Sequence, residues 1–204
     1  MSFLLDNCTF KPLTDTLLKE CNRFTCGKKE LDDFFYNEAT LFEKELLGKS
    51  YCFTLDQSPN TIVCIFTISN DSIKVDNIPG SRKKQVRKEI PHEKQMRRYP
   101  AVLIGRLGVN CDLKNNHIGT EMMDFIKSWF IDPLNKTGCR FIVVDAYKDE
   151  DCMSYYLKNG FNYLFSSDEQ EALNIYNDEN KTLETRFMYF DLIQFVRLQN
   201  PLSN

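Results

Sequence analysis

The chain has 204 residues, 42% of them hydrophobic and 27% charged, with a net charge of −3. These values describe a soluble globular chain of one domain, or one domain with insertions. They exclude a general attraction to nucleic acid or to an anionic membrane, so any such attraction must come from a local patch. No apolar run approaches the roughly 20 residues of a membrane span, and the opening MSFLLDNCTF has neither the basic region nor the long apolar core of a signal peptide. The cysteines are Cys8, Cys21, Cys26, Cys52, Cys64, Cys111, Cys139 and Cys152, and none are paired as C-x-x-C. With His92 and His117 as the only histidines, no metal site is expected. Cys52 and Cys64, in strand-like runs, read as small core residues, the chain as a reduced, cytoplasmic one, and the cysteine spacing gives no support to a Cys–His nucleophile pair.

In chain order, residues 3–13 read as a short strand. From Lys28 to Leu47 the residues Leu31, Phe35, Ala39, Phe42 and Leu46 share one helical face, with Gly27 before the helix and Gly48 after it. Ser50–Leu55 and Thr61–Ser69 are strand-like runs joined by the turn residues 57–60, which predicts an antiparallel hairpin. Residues 71–100 interrupt the pattern. Within them Arg82, Lys83, Lys84, Arg87, Lys88, Lys94, Arg97 and Arg98 form a basic block in an acidic chain, with Glu89 and Glu93 its acids. Such a block is either a solvated insertion or a landing strip for phosphates.

Ala101–Val109 is apolar and β-branched, a buried strand with glycines at Gly105 and Gly108. Glycine weakens a strand, so these two require a bulge or the close approach of another molecule. A polar loop, 110–117, leads into a helix that carries Ile118, Met122, Ile126, Trp129 and Phe130 at helical spacing. This strand–loop–helix is either an ordinary βα turn or an anion cradle facing the positive end of the helix dipole. Arg140–Ala146 is a second buried strand and completes a βαβ unit, which predicts a parallel pair. Asp149, Glu150 and Asp151 open a short helix that Asn159-Gly160 closes. Phe161–Phe165 reads as a strand, 166–181 as a polar, partly helical excursion, and Arg186–Leu192 as the last strand. Hairpin followed by βαβ predicts a mixed sheet flanked by helices, an α/β (α+β) fold.

LIGRLGVNCDLKNNHIGTEMM resembles motif A of the GNAT acetyltransferase superfamily. Lys114, Asn115, Asn116, His117, Ile118 and Gly119 occupy its six loop positions. Gly119 keeps the final glycine, Lys114 keeps the charge of the usual first residue, and His117 replaces the middle glycine. SYYLKNGF resembles the end of motif B, with Tyr156 on that family's tyrosine. The two motifs fall in the family's order with a strand between them. RFTCGKKELDDFF and YPAVLIGRLGV further resemble the TacT-like branch, toxins that acetylate the amine of aminoacyl-tRNA.

This resemblance implies a single GNAT domain over 1–204, with insertions at 71–100 and 166–184. It implies acetyl-CoA as cosubstrate and transfer of acetyl to a primary amine, with charged tRNA, a protein amine and a small amine all open as acceptors. The parallel strands are expected to splay and admit the pantetheine arm beside Leu107, Gly108 and Val109, with the Val109 N–H on the thioester carbonyl. Lys114 through Thr120 are expected to hold the pyrophosphate. Tyr156 is expected to donate a proton or a hydrogen bond to the departing sulfur. Arg106, a charge inside an apolar strand, either lines the acceptor site or pairs with a carboxylate. Arg82, Lys83, Lys84, Arg87 and Lys88 are candidate acceptor contacts. Asp145, Asp149, Glu150 and Asp151 are acids near the site, none singled out as base. A homodimer and an antitoxin partner fit the branch, a membrane does not, and a non-catalytic module binding nucleic acid is the rival reading.

Overall fold

The computed structural model describes residues 2–76, 78–91, 96–113 and 117–199. Among them are the strands β1 (Cys8–Pro12), β2 (Lys49–Leu55), β3 (Ser58–Lys74), β4 (Arg98–Val109), β5 (Phe141–Tyr147), β6 (Asn162–Tyr163) and β7 (Thr185–Asp191). Their order in the sheet is β1-β2-β3-β4-β5-β7-β6. The β4–β5 pair is parallel, and β1–β2, β2–β3, β5–β7 and β6–β7 are antiparallel. The expected hairpin and βαβ pair are thus both present. The chain divides into two compact units, Met1–Asn70 with Ile104–Ile126 and Asp71–Leu103 with Lys127–Asn204.

In the first unit the opening segment is half helix. Residues Phe3–Asn7 form α1 before β1 begins. The expectation of a strand over the whole segment fails because the helix is held from far away. The Glu121 carboxylate accepts hydrogen bonds from the Ser2 hydroxyl (3.0 Å), Phe3 N–H (3.0 Å) and Leu4 N–H (2.8 Å). A second helix, α2 (Asp15–Glu20), is capped by the Thr14 hydroxyl. The single helix expected over 28–47 is two, α3 (Lys29–Asn37) and α4 (Ala39–Lys44), broken at Glu38. The break keeps Leu31, Phe34, Phe35 and Ala39 all buried, together with Leu13, Phe24, Ile62 and Ile65. On the opposite face of β1–β3, Phe10 and Phe53 pack against Phe125, with ring centroids 4.7 and 4.9 Å away. The hairpin turn is tighter than expected, because β3 resumes at Ser58.

The second unit is built on β5 and its neighbours. Phe141 and Val143 pack with Ile73, Val75, Tyr99, Ala101 and Tyr189. The basic block is not an open loop: Gly80–Arg87 form α5, docked through buried Val86. One apolar residue among so many cations gives no helical periodicity to read. The polar stretch 166–181 holds α8 (Asp168–Tyr176), and the expected strand over 161–165 shrinks to the two residues of β6. What docks α8 is charge. Arg186 of β7 is buried; its Nε donates to Glu171 at 2.6 Å and its other nitrogens to Asp168 and to the Phe165 carbonyl. The other Glu171 oxygen accepts the Phe187 N–H at 2.7 Å. The last strand ends at Asp191, and Leu192–Gln199 continue as α9.

Breaking one side of a buried ion pair leaves an uncompensated charge, whereas replacing both sides with apolar groups does not. Glu171→Gln is therefore expected to lose about 3–5 kcal/mol of stability in urea unfolding. The double variant Glu171→Leu with Arg186→Met should lose clearly less than the single one.

Candidate functional site

The end of β4 is held from one side. Arg106 stacks its guanidinium 5.0 Å from the Phe34 ring centroid and pairs with Glu30 at 3.3 Å. Of its two open roles, pairing with a carboxylate is the one formed. A Cβ placed on Gly108 would meet the Cys26 Cβ at 2.9 Å and the Phe35 ring at 3.3 Å. The close approach that this glycine permits is thus by the protein's own Cys26. Gly105 differs, since a Cβ there would meet nothing within 4 Å. Leu107 and Val109 share its alternation along the strand and are half-buried.

The segment against Gly108 explains the RFTCGKKELDDFF pattern residue by residue. Phe24, Cys26 and Leu31 are buried, and Gly27 sits at φ 83°. Asp32 accepts hydrogen bonds from the Thr25 hydroxyl at 2.6 Å and the Cys26 N–H at 2.9 Å. Burial opposes its ionisation, yet these two donors hold its carboxyl below the ordinary range. The Thr25 carbonyl then accepts the Cys111 N–H at 2.9 Å. Asn110 is buried and bonded on both sides, its backbone N–H to Val63 O at 2.9 Å and its side chain to Ile62 O at 2.8 Å. The strand therefore ends at a fixed point.

After Asn110 comes one 3-10 turn, Cys111–Leu113. Lys114, Asn115 and Asn116 lie outside the described residues. His117 is exposed with φ 55°. That left-handed conformation is the one glycine adopts without cost, which explains why the resembling motif carries glycine at this place. The His117 carbonyl accepts the Thr120 and Glu121 N–H groups at 2.9 and 3.0 Å, starting α6 (Ile118–Ile131). Ile118 is buried, Gly119 half-buried and Thr120 exposed. Glu121, in the first turn of α6, accepts from the N–H groups that open α1. Burial opposes its charge, but the Leu4 and Phe3 N–H groups hold its carboxyl below the usual range.

In the second unit the β4–β5 ladder covers Ala101–Leu103 against Phe141–Val143. It stops there, although β5 runs on to Tyr147, paired with β7 throughout. The helix α7 (Glu150–Lys158) follows, capped by the Asp149 carboxylate on the Cys152 N–H at 2.8 Å. Tyr156 is 8% exposed, with the rings of Tyr155 and Phe161 at 5.2 and 5.3 Å. Among the described residues its hydroxyl has no hydrogen-bond partner. Burial, and then the nearby Cys152, push its ionisation far above the ordinary tyrosine range, so it stays a donor at any ordinary pH.

The remaining candidates separate by environment. Asp149 is a helix cap; Glu150 and Asp151 fill the first turn of α7. Asp145 is pushed up by partial desolvation and then by the charge of Asp71, though its exposure lets solvent weaken both effects. The eight cysteines are free thiols. Burial raises Cys8, Cys26 and Cys139 to about 11 and Cys52 to about 12, which leaves them neutral and poorly nucleophilic. Among the described residues no cluster of His, Cys, Asp and Glu could hold a metal ion, and no helix is long and apolar enough to cross a membrane.

On α5, Arg82 donates to Gln85, Lys83 to the Asp76 carbonyl and Arg87 to the Met96 carbonyl, all neutral acceptors. Lys84 and Lys88 are exposed, Lys94 lies outside the described residues, and the acid Glu89 is paired with Arg197. Sequence reading missed Lys127, a buried lysine on α6, although a cation one position after Ile126 on an apolar helix is a visible signal.

The sequence matches no protein-family model and no curated protein. Solved structures do match. A tyrosine-to-phenylalanine mutant of KacT superposes with a TM-score of 0.69 at 18% identity, covering 95% of this chain and 99% of that one. AtaT complexed with acetyl-methionyl-tRNA gives 0.66 at 18% identity, covering 95% and 100%. AtaTR bound with acetyl-CoA gives 0.63 at 18% identity, covering 96% and 99%. The chain therefore has the GNAT fold of these toxin structures, as its two motifs imply.

The left-handed residue makes a direct prediction. A side chain in that conformation costs about 1–2 kcal/mol, partly offset in a glycine variant by the freer unfolded chain. His117→Gly should unfold at an equal or higher urea concentration than the wild type. His117→Val, β-branched at the same φ, should unfold earlier.

Proposed function

We propose that the chain is an acetyl-CoA-dependent N-acetyltransferase acting on a primary amine, with the amine of an aminoacyl-tRNA as the acceptor class. The observation that carries the reading is Tyr156: a buried tyrosine with an unpartnered hydroxyl, at the motif B position of a chain with the GNAT fold. A hydroxyl without a protein acceptor is available to a ligand.

The family pattern takes 1–204 as one catalytic domain. It assigns Leu107, Gly108 and Val109 to the pantetheine arm. It takes Lys114 through Thr120 for the pyrophosphate. The Val109 N–H polarises the thioester carbonyl as the amine nitrogen attacks it. The new N–C bond forms, the C–S bond breaks, and the amine proton leaves to water. Tyr156 acts on the departing sulfur. A thiol has an ordinary pKa of about 8.5 and a tyrosine about 10, so full transfer of the tyrosine proton is uphill by about 2 kcal/mol. Burial raises Tyr156 further. Its role is thus a hydrogen bond that strengthens as charge develops, rather than complete proton transfer.

Two features support a tRNA acceptor. Arg82, Lys83 and Arg87 of α5 donate to neutral acceptors, and AtaT, of like fold, forms a complex with acetyl-methionyl-tRNA. A homodimer and an antitoxin partner belong to the same proposal; AtaT of like fold binds the C-terminus of the antitoxin AtaR. Protein and small amines remain the alternative acceptors, and a non-catalytic nucleic-acid module the alternative class.

Tyr156→Phe should lower kcat about 10²–10⁴-fold, the usual range for one acid–base group, with little change in acetyl-CoA affinity. Exchanging Arg82, Lys83, Lys84, Arg87 and Lys88 for Ser or Gln should flatten the salt dependence of tRNA binding. Each lost phosphate contact removes roughly 0.7–0.9 from the slope of log K against log salt. The assay is acetyl transfer to charged tRNA and to a polyamine at two salt concentrations. Transfer to the polyamine alone, or tRNA transfer indifferent to the block, overturns the tRNA reading. Full turnover by the Phe variant removes Tyr156 from the chemistry.

A further inference from the structure

Lys127 is 4% exposed, a buried cation that the proposed chemistry does not use. Its ammonium donates to the Asn159 carbonyl at 2.9 Å, at the C-terminal end of α7. It also lies 4.4 Å from the Phe190 ring centroid and 5.6 Å from that of Phe195. A cation there satisfies a helix-end carbonyl and opposes the negative end of the helix dipole.

That helix end is the one that carries Tyr156, and Lys127 reaches it by two routes. One is backbone. The Asn159 N–H donates to the Tyr156 carbonyl at 3.1 Å, the Phe161 N–H donates to the same carbonyl at 3.0 Å, and the Asn159 side chain donates to the Tyr155 carbonyl at 2.8 Å. The other is a row of rings. Phe190, under the ammonium, packs on Phe161 at 5.8 Å, and Phe161 packs on Tyr156 at 5.3 Å. Gly160, at φ 81°, closes the turn, and a Cβ there would stand 3.1 Å from the Phe190 ring. The lysine and the tyrosine ring are thus joined by a row of packed rings.

We propose that Lys127 is a positioning residue for Tyr156: its buried ammonium fixes the last turn of α7 and, through Phe190 and Phe161, the direction in which the Tyr156 hydroxyl points. This rests on the reading that Tyr156 acts on the departing sulfur. A displacement of about 1 Å at a reacting group can cost about a hundredfold in rate. Lys127→Met keeps the apolar stem and removes the donor and the charge. Lys127→Arg keeps a cation over Phe190.

The test uses the wild type, Tyr156→Phe, Lys127→Met and the double variant, with acetyl transfer from acetyl-CoA to mixed aminoacyl-tRNA. The expected result is a kcat at least about tenfold lower in Lys127→Met, with acetyl-CoA affinity unchanged. In the Tyr156→Phe background the same change should cost less than about twofold, because there is no hydroxyl left to misdirect. Lys127→Arg should recover part of the loss. An equal loss in both backgrounds overturns the positioning role. Equal turnover by the wild type and Tyr156→Phe overturns the tyrosine's own role, and the two failures are read from different pairs. Hydrogen exchange over residues 155–165 reads the positioning whatever the acceptor. Faster exchange of the Asn159, Gly160 and Phe161 amides in Lys127→Met supports the proposal, and unchanged exchange contradicts it.

Discussion

The candidate cofactor loop depends on a missing side chain. Gly108 leaves room for Cys26 to pack directly on the strand, where any Cβ would stand 2.9 Å from that of Cys26. Asp32 locks the Thr25–Cys26 segment in place, and Thr25 in turn takes the Cys111 N–H. Asn110 closes the other side through Ile62 and Val63. A strand end pinned in this way sets where the loop to α6 departs. Glu121 completes the device, because its carboxylate is spent on the N–H groups that open α1. Those bonds tie the opening helix of the chain to the first turn of α6 and hold the carboxylate in its charged form.

The second unit solves a different problem, that of holding charge inside. Arg186, Glu171 and Asp191 are buried, and each has a named partner: Arg186 with Glu171, and Asp191 with Arg140 at 2.8 Å. Burial raises both acids even so, with the arginines pulling the other way. Such pairs add little net stability compared with apolar packing, but they admit a single arrangement. Here the arrangement fixes α8 and α9 on the outer strands. On α7 a buried lysine, Lys127, donates to the Asn159 carbonyl at the helix end.

What the sequence made legible was whatever repeats at short range. The strand at Ala101–Val109, the helix after it, the strand at Arg140–Ala146 and the helix bounded by Asp149 and Gly160 each carry their own periodicity and caps. The hairpin did so as well. What it hid was contact between distant residues. α1 needs Glu121, α8 needs Arg186, and α5 has one apolar anchor in Val86, so none shows a local pattern. The break at Glu38 is set by packing of Phe34, Phe35 and Ala39 rather than by a Pro or Gly. At the site, Tyr156 and Gly119 were legible through motif resemblance, and the glycine replaced by His117 found its explanation only in a φ angle. The packing of Cys26 on Gly108 was not legible, because no sequence rule tells which neighbour comes close to a glycine. Lys127 was passed over because a lysine within an apolar helix face is usually one whose stem alone is covered.

The account stands or falls on acetyl-CoA. Titration calorimetry of acetyl-CoA into the purified chain should give saturable binding of one molecule per chain, competed by free coenzyme A and abolished in Gly119→Val, whose added bulk stands at the start of α6. Absence of binding by the folded wild type, or undiminished affinity in Gly119→Val, would contradict it.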